Sequence, residues 1–157
     1  MIRSMKNDPQ LKQELFNKCS DFVHQRHVKI LKNISDIQFA LTSETKNSAG
    51  DKHETGRAML QLEREKAGQQ LAEVEKLKEA LEKIDLTKSP RIIGLGSLVF
   101  TSQANYFLAI SAGQFVVDSQ AFFAISPQTP IGQMLNKRTI GDMIKFREQA
   151  FTIRNIY

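Results

Sequence analysis

Asp51 and Glu54 stand three residues apart in the stretch SAGDKHETGR, residues 48–57, with His53 between them and glycines at 50 and 56. Two carboxylates at this spacing suit either of two roles. At a helix N-terminus, an Asp followed by a Glu three residues later is a capping box, and acidic groups there also suit the helix dipole. Held out into solvent, the same pair offers oxygen ligands to Mg²⁺, which keeps several waters and is commonly bound by one or two carboxylates plus phosphates. Such a pair is too weak to hold the ion alone, so the remaining ligands would have to come from a partner. The two roles are compatible, because Ser48 could cap the helix and leave Asp51 to point outward. His53 could carry a proton or act as a third ligand, although a lone histidine on a polar tip reads more simply as solvated surface.

Other candidate groups point to packing. His24 and His27 lie three apart on one helical segment, but no facing ligand cluster accompanies them. Cys19 stands near Phe16 and Phe22 and reads as a buried packing residue. As the single cysteine it excludes an internal disulfide framework and is compatible with a reducing compartment. The net charge of +5 leans mildly toward acidic partners, but the basic residues are interspersed with acidic ones. The start of the sequence, MIRSMKNDPQ, lacks the apolar core of a signal peptide, and no apolar run approaches membrane-spanning length. A cytoplasmic protein is expected.

Two differently patterned halves position these groups. Residues 1–88 hold only one proline, Pro9, and most of the charge. Asp8-Pro9 offers an N-cap followed by proline at the first helical position. Phe16, Val23, Ile30 and Ile37 then recur every seven residues, with Ser20, His27, Ile34 and Leu41 interleaved four later. A second row follows the polar stretch: Leu60, Ala67, Val74 and Leu81, joined by Leu71, Leu77 and Ile84. Two such seams joined by a short turn bury each other by folding back as an antiparallel coiled-coil hairpin. Its tip falls near residues 44–54. Each arm is about 30 residues, which at about 1.5 Å per residue gives a rod of roughly 45 to 50 Å.

Ser89-Pro90 marks a boundary. Beyond it, LGSLVFTS, NYFLAIS, GQFVVDS, AFFAIS, MIKF and AFTIRNI are Val-, Ile- and Phe-rich runs separated by turn residues. Thr129 is an N-cap candidate with Pro130 at the first helical position. Asn136 suits a left-handed C-cap, and Gly141-Asp142 suits a turn. Residues 89–157 therefore read as a small α+β domain with an antiparallel sheet and one short helix.

A helical hairpin followed by SPQTPIGQMLNKRTIGDMIKF resembles the Gre transcript-cleavage factors of bacterial RNA polymerase. The family signature maps onto Ser126-Pro127, Pro130-Ile131-Gly132 and Gly141-Asp142, with "QT" inserted and Asn136 where a glycine is usual. At the tip, GDKHE fits the family pattern Gly-Asp-x-x-Glu through Asp51 and Glu54. The resemblance implies an FKBP-like C-terminal domain that docks on the polymerase through the signature residues. It also implies a hairpin inserted into the secondary channel, where Asp51 and Glu54 help hold a second Mg²⁺ and activate water for cleavage of backtracked RNA. The chain would then be an accessory factor and not an enzyme, with no cofactor held stably alone and no small-molecule substrate. Arg57 stands where the family tends to have an acidic residue, and could contact RNA phosphate. Two alternatives remain open at this point: a non-cleaving secondary-channel modulator or inhibitor, and a coiled-coil adaptor unrelated to transcription. The phenylalanines alternate as core residues and Trp is absent, so prolyl isomerase activity is not expected.

Overall fold

The computed structural model describes residues 7–46 and 50–157, without the side chains of residues 44–46 and 50–53. The chain is α+β: a long helical hairpin precedes a six-stranded sheet that carries one short helix. It divides into two compact units, Val23–Lys78 and the pair Met1–Phe22 with Glu79–Tyr157.

The hairpin helices are α1 (Asp8–Lys46) and α2 (Gly50–Glu82), of 39 and 33 residues, each longer than the heptad rows alone suggest. The start of α1 corrects the expected cap by one residue. Asn7 Oδ1 accepts from Gln10 N at 2.9 Å, and Gln10 Oε1 accepts from Asn7 N at 3.2 Å. This reciprocal box needs a long polar side chain three residues after the cap. Gln10 supplies it for Asn7, whereas Asp8 would have only Leu11.

Within the unit Val23–Lys78, the seam follows the heptads. Val23 and Ile37 are buried, and His27, Ile30, Ile34 and Leu41 are half-buried between exposed neighbours. Ala67 and Val74 on α2 are 1% and 0% exposed. A lone helix cannot hide a side chain so completely, so α1 must cover them. Gln70 of α2 shares a surface groove with Arg26, Lys29 and Ile30 of α1, as antiparallel packing of the two helices requires. Arg64 is an unexpected seam member. It is half-buried between Leu60 and Ala67, and its Nε is buried without a hydrogen-bond partner among the described residues.

In the other unit the strands are β1 (Leu98–Thr101), β2 (Asn105–Leu108), β3 (Gly113–Val117), β4 (Gln120–Ile125), β5 (Met143–Phe146) and β6 (Gln149–Ile156). The sheet order is β3-β4-β2-β1-β6-β5. Every pairing is antiparallel except β2 with β4, which is parallel with Tyr106 opposite Phe123. The expected antiparallel sheet therefore contains one parallel pair. The chain leaves β2, turns back to build β3 at the edge, and the tight turn at Asp118-Ser119 then sends β4 between them. Period-two alternation covers both faces, with a register shift in β6 between Ile153 and Asn155 that returns Ile156 to the face of Ile153. One carries Val99, Leu108, Ile144, Phe151, Ile153 and Ile156, which pack with Ile93 and with Leu135 of the short helix. The other carries fully buried Leu98, Phe107 and Phe122, with Phe100 edge-to-face on Phe122 at 6.0 Å.

The first turns of α1 belong to this unit and bury Leu11, Leu15 and Cys19. Lys12 is 1% exposed, and its Nζ donates to the Lys88 and Tyr157 carbonyls at 3.0 and 3.2 Å while lying over the Tyr157 ring. Burial lowers its pKa and the Asp85 carboxylate opposes that shift. A lysine inside an apolar stretch thus ties the start of α1 to two distant segments.

The short helix is α3 (Pro130–Leu135). Thr129 Oγ1 caps it by accepting from Gly132 N at 3.1 Å, and Pro130 follows at the first position, as expected. The expected left-handed residue is displaced by one. Asn136 has φ −58° and its N–H still bonds to Gly132 O, so Lys137 takes the left-handed turn at φ 67°. That turn brings Lys137 N to Ile93 O at 2.8 Å and Arg138 O to Ile93 N at 2.9 Å, which a left-handed Asn136 would misdirect.

Candidate functional site

The acidic pair lies on α2. The helix begins at Gly50, so Asp51 falls in its first turn and Glu54 one turn later, positions i and i+3 on one helix face. Glu54 is exposed and Arg57, a further three residues on, is half-buried. Ser48 lies outside the described residues, and so do the side chains of Asp51 and His53. Carboxylates near this helix end are favoured by the dipole. An exposed carboxylate is also accessible to a partner, and its oxygens suit a hard cation such as Mg²⁺. Among the described residues, no group of three or more His, Cys, Asp or Glu side chains is placed to hold a metal. His24 is exposed and His27 sits half-buried on the seam, so helix packing separates their environments.

The formal charge around the pair is balanced. Residues 44–57 contain three acidic residues, Glu44, Asp51 and Glu54, and three basic ones, Lys46, Lys52 and Arg57. Any attraction for a cation would therefore come from the pair itself and not from a broad negative field.

The second cluster is built around α3. The Ser126 carbonyl accepts from Thr129 N at 3.1 Å and from Thr129 Oγ1 at 2.7 Å, and Ser126 Oγ accepts from Gln128 N. Gly132 is buried against this turn. A Cβ on it would overlap the Ser126 carbonyl oxygen and lie 2.9 Å from Thr129 Oγ1 and 3.0 Å from Pro127 Cα. Glycine is thus dictated by the close approach of helix and loop. Ile131 packs at the rim of the core while Pro130 is exposed. Gly141, at φ 93°, donates its N–H to Ile153 O, and Asp142 Oδ2 accepts from Thr139 N at 3.0 Å. Most of these signature residues hold the local structure together. Ser126, Gly132, Gly141 and Asp142 shape the loops, and Ile131 packs on the core. Elsewhere in this unit the large apolar residues Ile92, Ile140 and Met143 are 57%, 53% and 69% exposed. Sequence patterning assigns these residues no place in core or surface, and the fold reveals them as surface.

No family model matches the chain, and no curated protein matches it. The solved structure of the transcription factor Gfh1 is similar, at 18% identity and a TM-score of 0.33. The match covers 86% of this chain and 90% of that one. No helix among the described residues is long and apolar enough to cross a membrane.

Proposed function

We propose that this chain is a Gre-like accessory factor that binds RNA polymerase and presents Asp51 and Glu54 to the polymerase active centre through the secondary channel. The observation that carries this reading is the GDKHE pattern at the start of α2, with Glu54 exposed one helical turn beyond Asp51. Capping alone does not account for it, because Glu54 stands a full turn inside the helix with its side chain in solvent.

The chemistry follows from the ligand type. A Mg²⁺ bound between these carboxylates and the polymerase's own groups would stabilise the attacking oxygen of a phosphodiester cleavage. Asp51 and Glu54 would supply the oxygens, and Glu54 would orient the attacking water by accepting its hydrogen bond. The hairpin contributes reach. Residues 50–78 of α2 extend about 43 Å at about 1.5 Å per residue. The signature loop around Ser126-Pro127, Pro130-Ile131-Gly132 and Gly141-Asp142 would dock the sheet domain outside the channel. Docking is a property of the shape those residues hold, since most of them are committed to internal hydrogen bonds.

The cancelling charges of residues 44–57 favour a second reading, occupancy of the channel without cutting. Arg57 would offset much of the local field that a metal needs. Co-sedimentation with core polymerase tests both readings against an unrelated adaptor, which would not bind. Mg²⁺-dependent shortening of backtracked RNA then separates a cleavage factor from an occupant.

A further inference from the structure

The two edges of the sheet are finished differently. The β5 edge carries Lys145 and runs into Arg147, the kind of charge that discourages strand addition. The β3 edge carries no charge within the strand itself, its first charged residue being Asp118 in the turn that follows. Residues 112–117, AGQFVV, contain no charge and no proline, and the β3–β4 register is unbroken from Gly113 to Val117, with Ala112 N donating inward to Ala124 O at the start of the strand.

We infer that β3 pairs antiparallel with β3 of a second copy of this chain, joining the two sheets across a two-fold axis. Val117 opposite Gln120 closes the two-residue turn, so it forms a hydrogen-bonded pair, and Phe115 and Gly113 likewise bond inward to β4. Gln114 and Val116 therefore direct their N–H and C=O groups away from β4, and neither has a further backbone partner among the described residues. These outward groups are placed symmetrically about Phe115. Pairing centred there sets Gln114 against Val116 of the second copy, and the reverse, so four backbone hydrogen bonds form. The two Phe115 residues meet in the close, non-hydrogen-bonded position that favours aromatic pairs.

Self-pairing is favoured over capture of an arbitrary strand because the edge is complementary to itself and brings no like charges together. It also covers apolar surface. Val116 is 60% exposed and Phe123 37% exposed, and both lie on the sheet face shared with Gln114. Because the β5 edge is guarded, the association closes at two copies and does not propagate as a ribbon. A five-residue contact is smaller than the interfaces of permanent dimers, so the dimer is weak and reversible.

Sedimentation equilibrium of the full chain, from low micromolar to millimolar concentration, tests this. The wild type should pass from monomer to dimer, and Val116→Lys should weaken the association at least about tenfold with an unchanged circular dichroism spectrum. In a Cys19→Ala background, Phe115→Cys should oxidise to a covalent dimer and Gln114→Cys should not, since only position 115 meets itself. A wild type that stays monomeric to millimolar concentration overturns the inference. So does a dimer untouched by Val116→Lys, or one that Gln114→Cys traps as readily as Phe115→Cys.

Discussion

Replacing Gly132 by alanine isolates the contact that shapes the signature loop. In an open helix this change would stabilise by about 1 kcal/mol, because glycine loses more backbone entropy than alanine. Here the added methyl meets the Ser126 carbonyl, Thr129 Oγ1 and Pro127 Cα, two of them backbone atoms that cannot rotate aside. Overpacking of that kind costs about 1 to 3 kcal/mol or more. Displacing Thr129 would also weaken the cap of α3, worth about 1 kcal/mol. The net expectation is a loss of about 1 to 3 kcal/mol, or roughly 2 to 12 °C in melting temperature for a chain of this size. Near-ultraviolet circular dichroism reads the right unit, since Tyr106 packs on Phe123 and Phe151 with ring centres 6.0 and 6.4 Å away. Gly94→Ala is the control: nothing lies within 4 Å of its Cβ, so its effect should stay within about 0.5 kcal/mol. A neutral or stabilising Gly132→Ala would refute the packing argument.

Two further outcomes test the elements beneath the site. Arg64→Leu should stabilise the hairpin by about 1 to 2 kcal/mol in urea unfolding, because it removes a buried, unpaired Nε from an otherwise apolar seam; a loss of stability would mean that the guanidinium is satisfied. Burial pushes the Cys19 thiol up from 9.0 to about 12. The unfolded chain therefore releases this proton first, and the stabilisation is complete below pH 9 and lost as pH rises toward 12. Relative to Cys19→Ala, the wild type should lose about 1.4 kcal/mol between pH 7 and pH 10 in paired urea titrations, and parallel curves for the two proteins would contradict a buried thiol.

Much of this architecture is legible in the residues because one periodicity dominates each half. The seams through Val23, Ile37, Ala67 and Val74 and the six strands follow directly from spacing. The misplacements have local causes. Asn7 is easily missed as the cap because Asp8-Pro9 is the stronger dipeptide signal, although only Asn7 has a Gln three residues on. Lys137 is a poor intrinsic choice for a left-handed turn, and its conformation is imposed by pairing with Ile93, a contact from more than 40 residues away. The parallel β2–β4 pair depends on sheet order, which no single strand encodes. The burial of Lys12 and the seam position of Arg64 escape patterning, which scores the charged head and ignores the aliphatic stem. At the site, the i, i+3 spacing of Asp51 and Glu54 is fully readable, whereas the exposure of Ile92, Ile140 and Met143 needs the fold.

The most direct test of the proposed function is the rate of Mg²⁺-dependent RNA shortening in backtracked elongation complexes. Wild type would be compared with Asp51→Asn and Glu54→Gln at concentrations where all three bind core polymerase equally. If the acidic pair delivers the chemistry, wild type accelerates shortening and each substitution lowers the rate by about 100-fold or more, as expected for removal of a ligand or general base. Wild type that binds without accelerating shortening, or acceleration that survives both substitutions, would contradict that account.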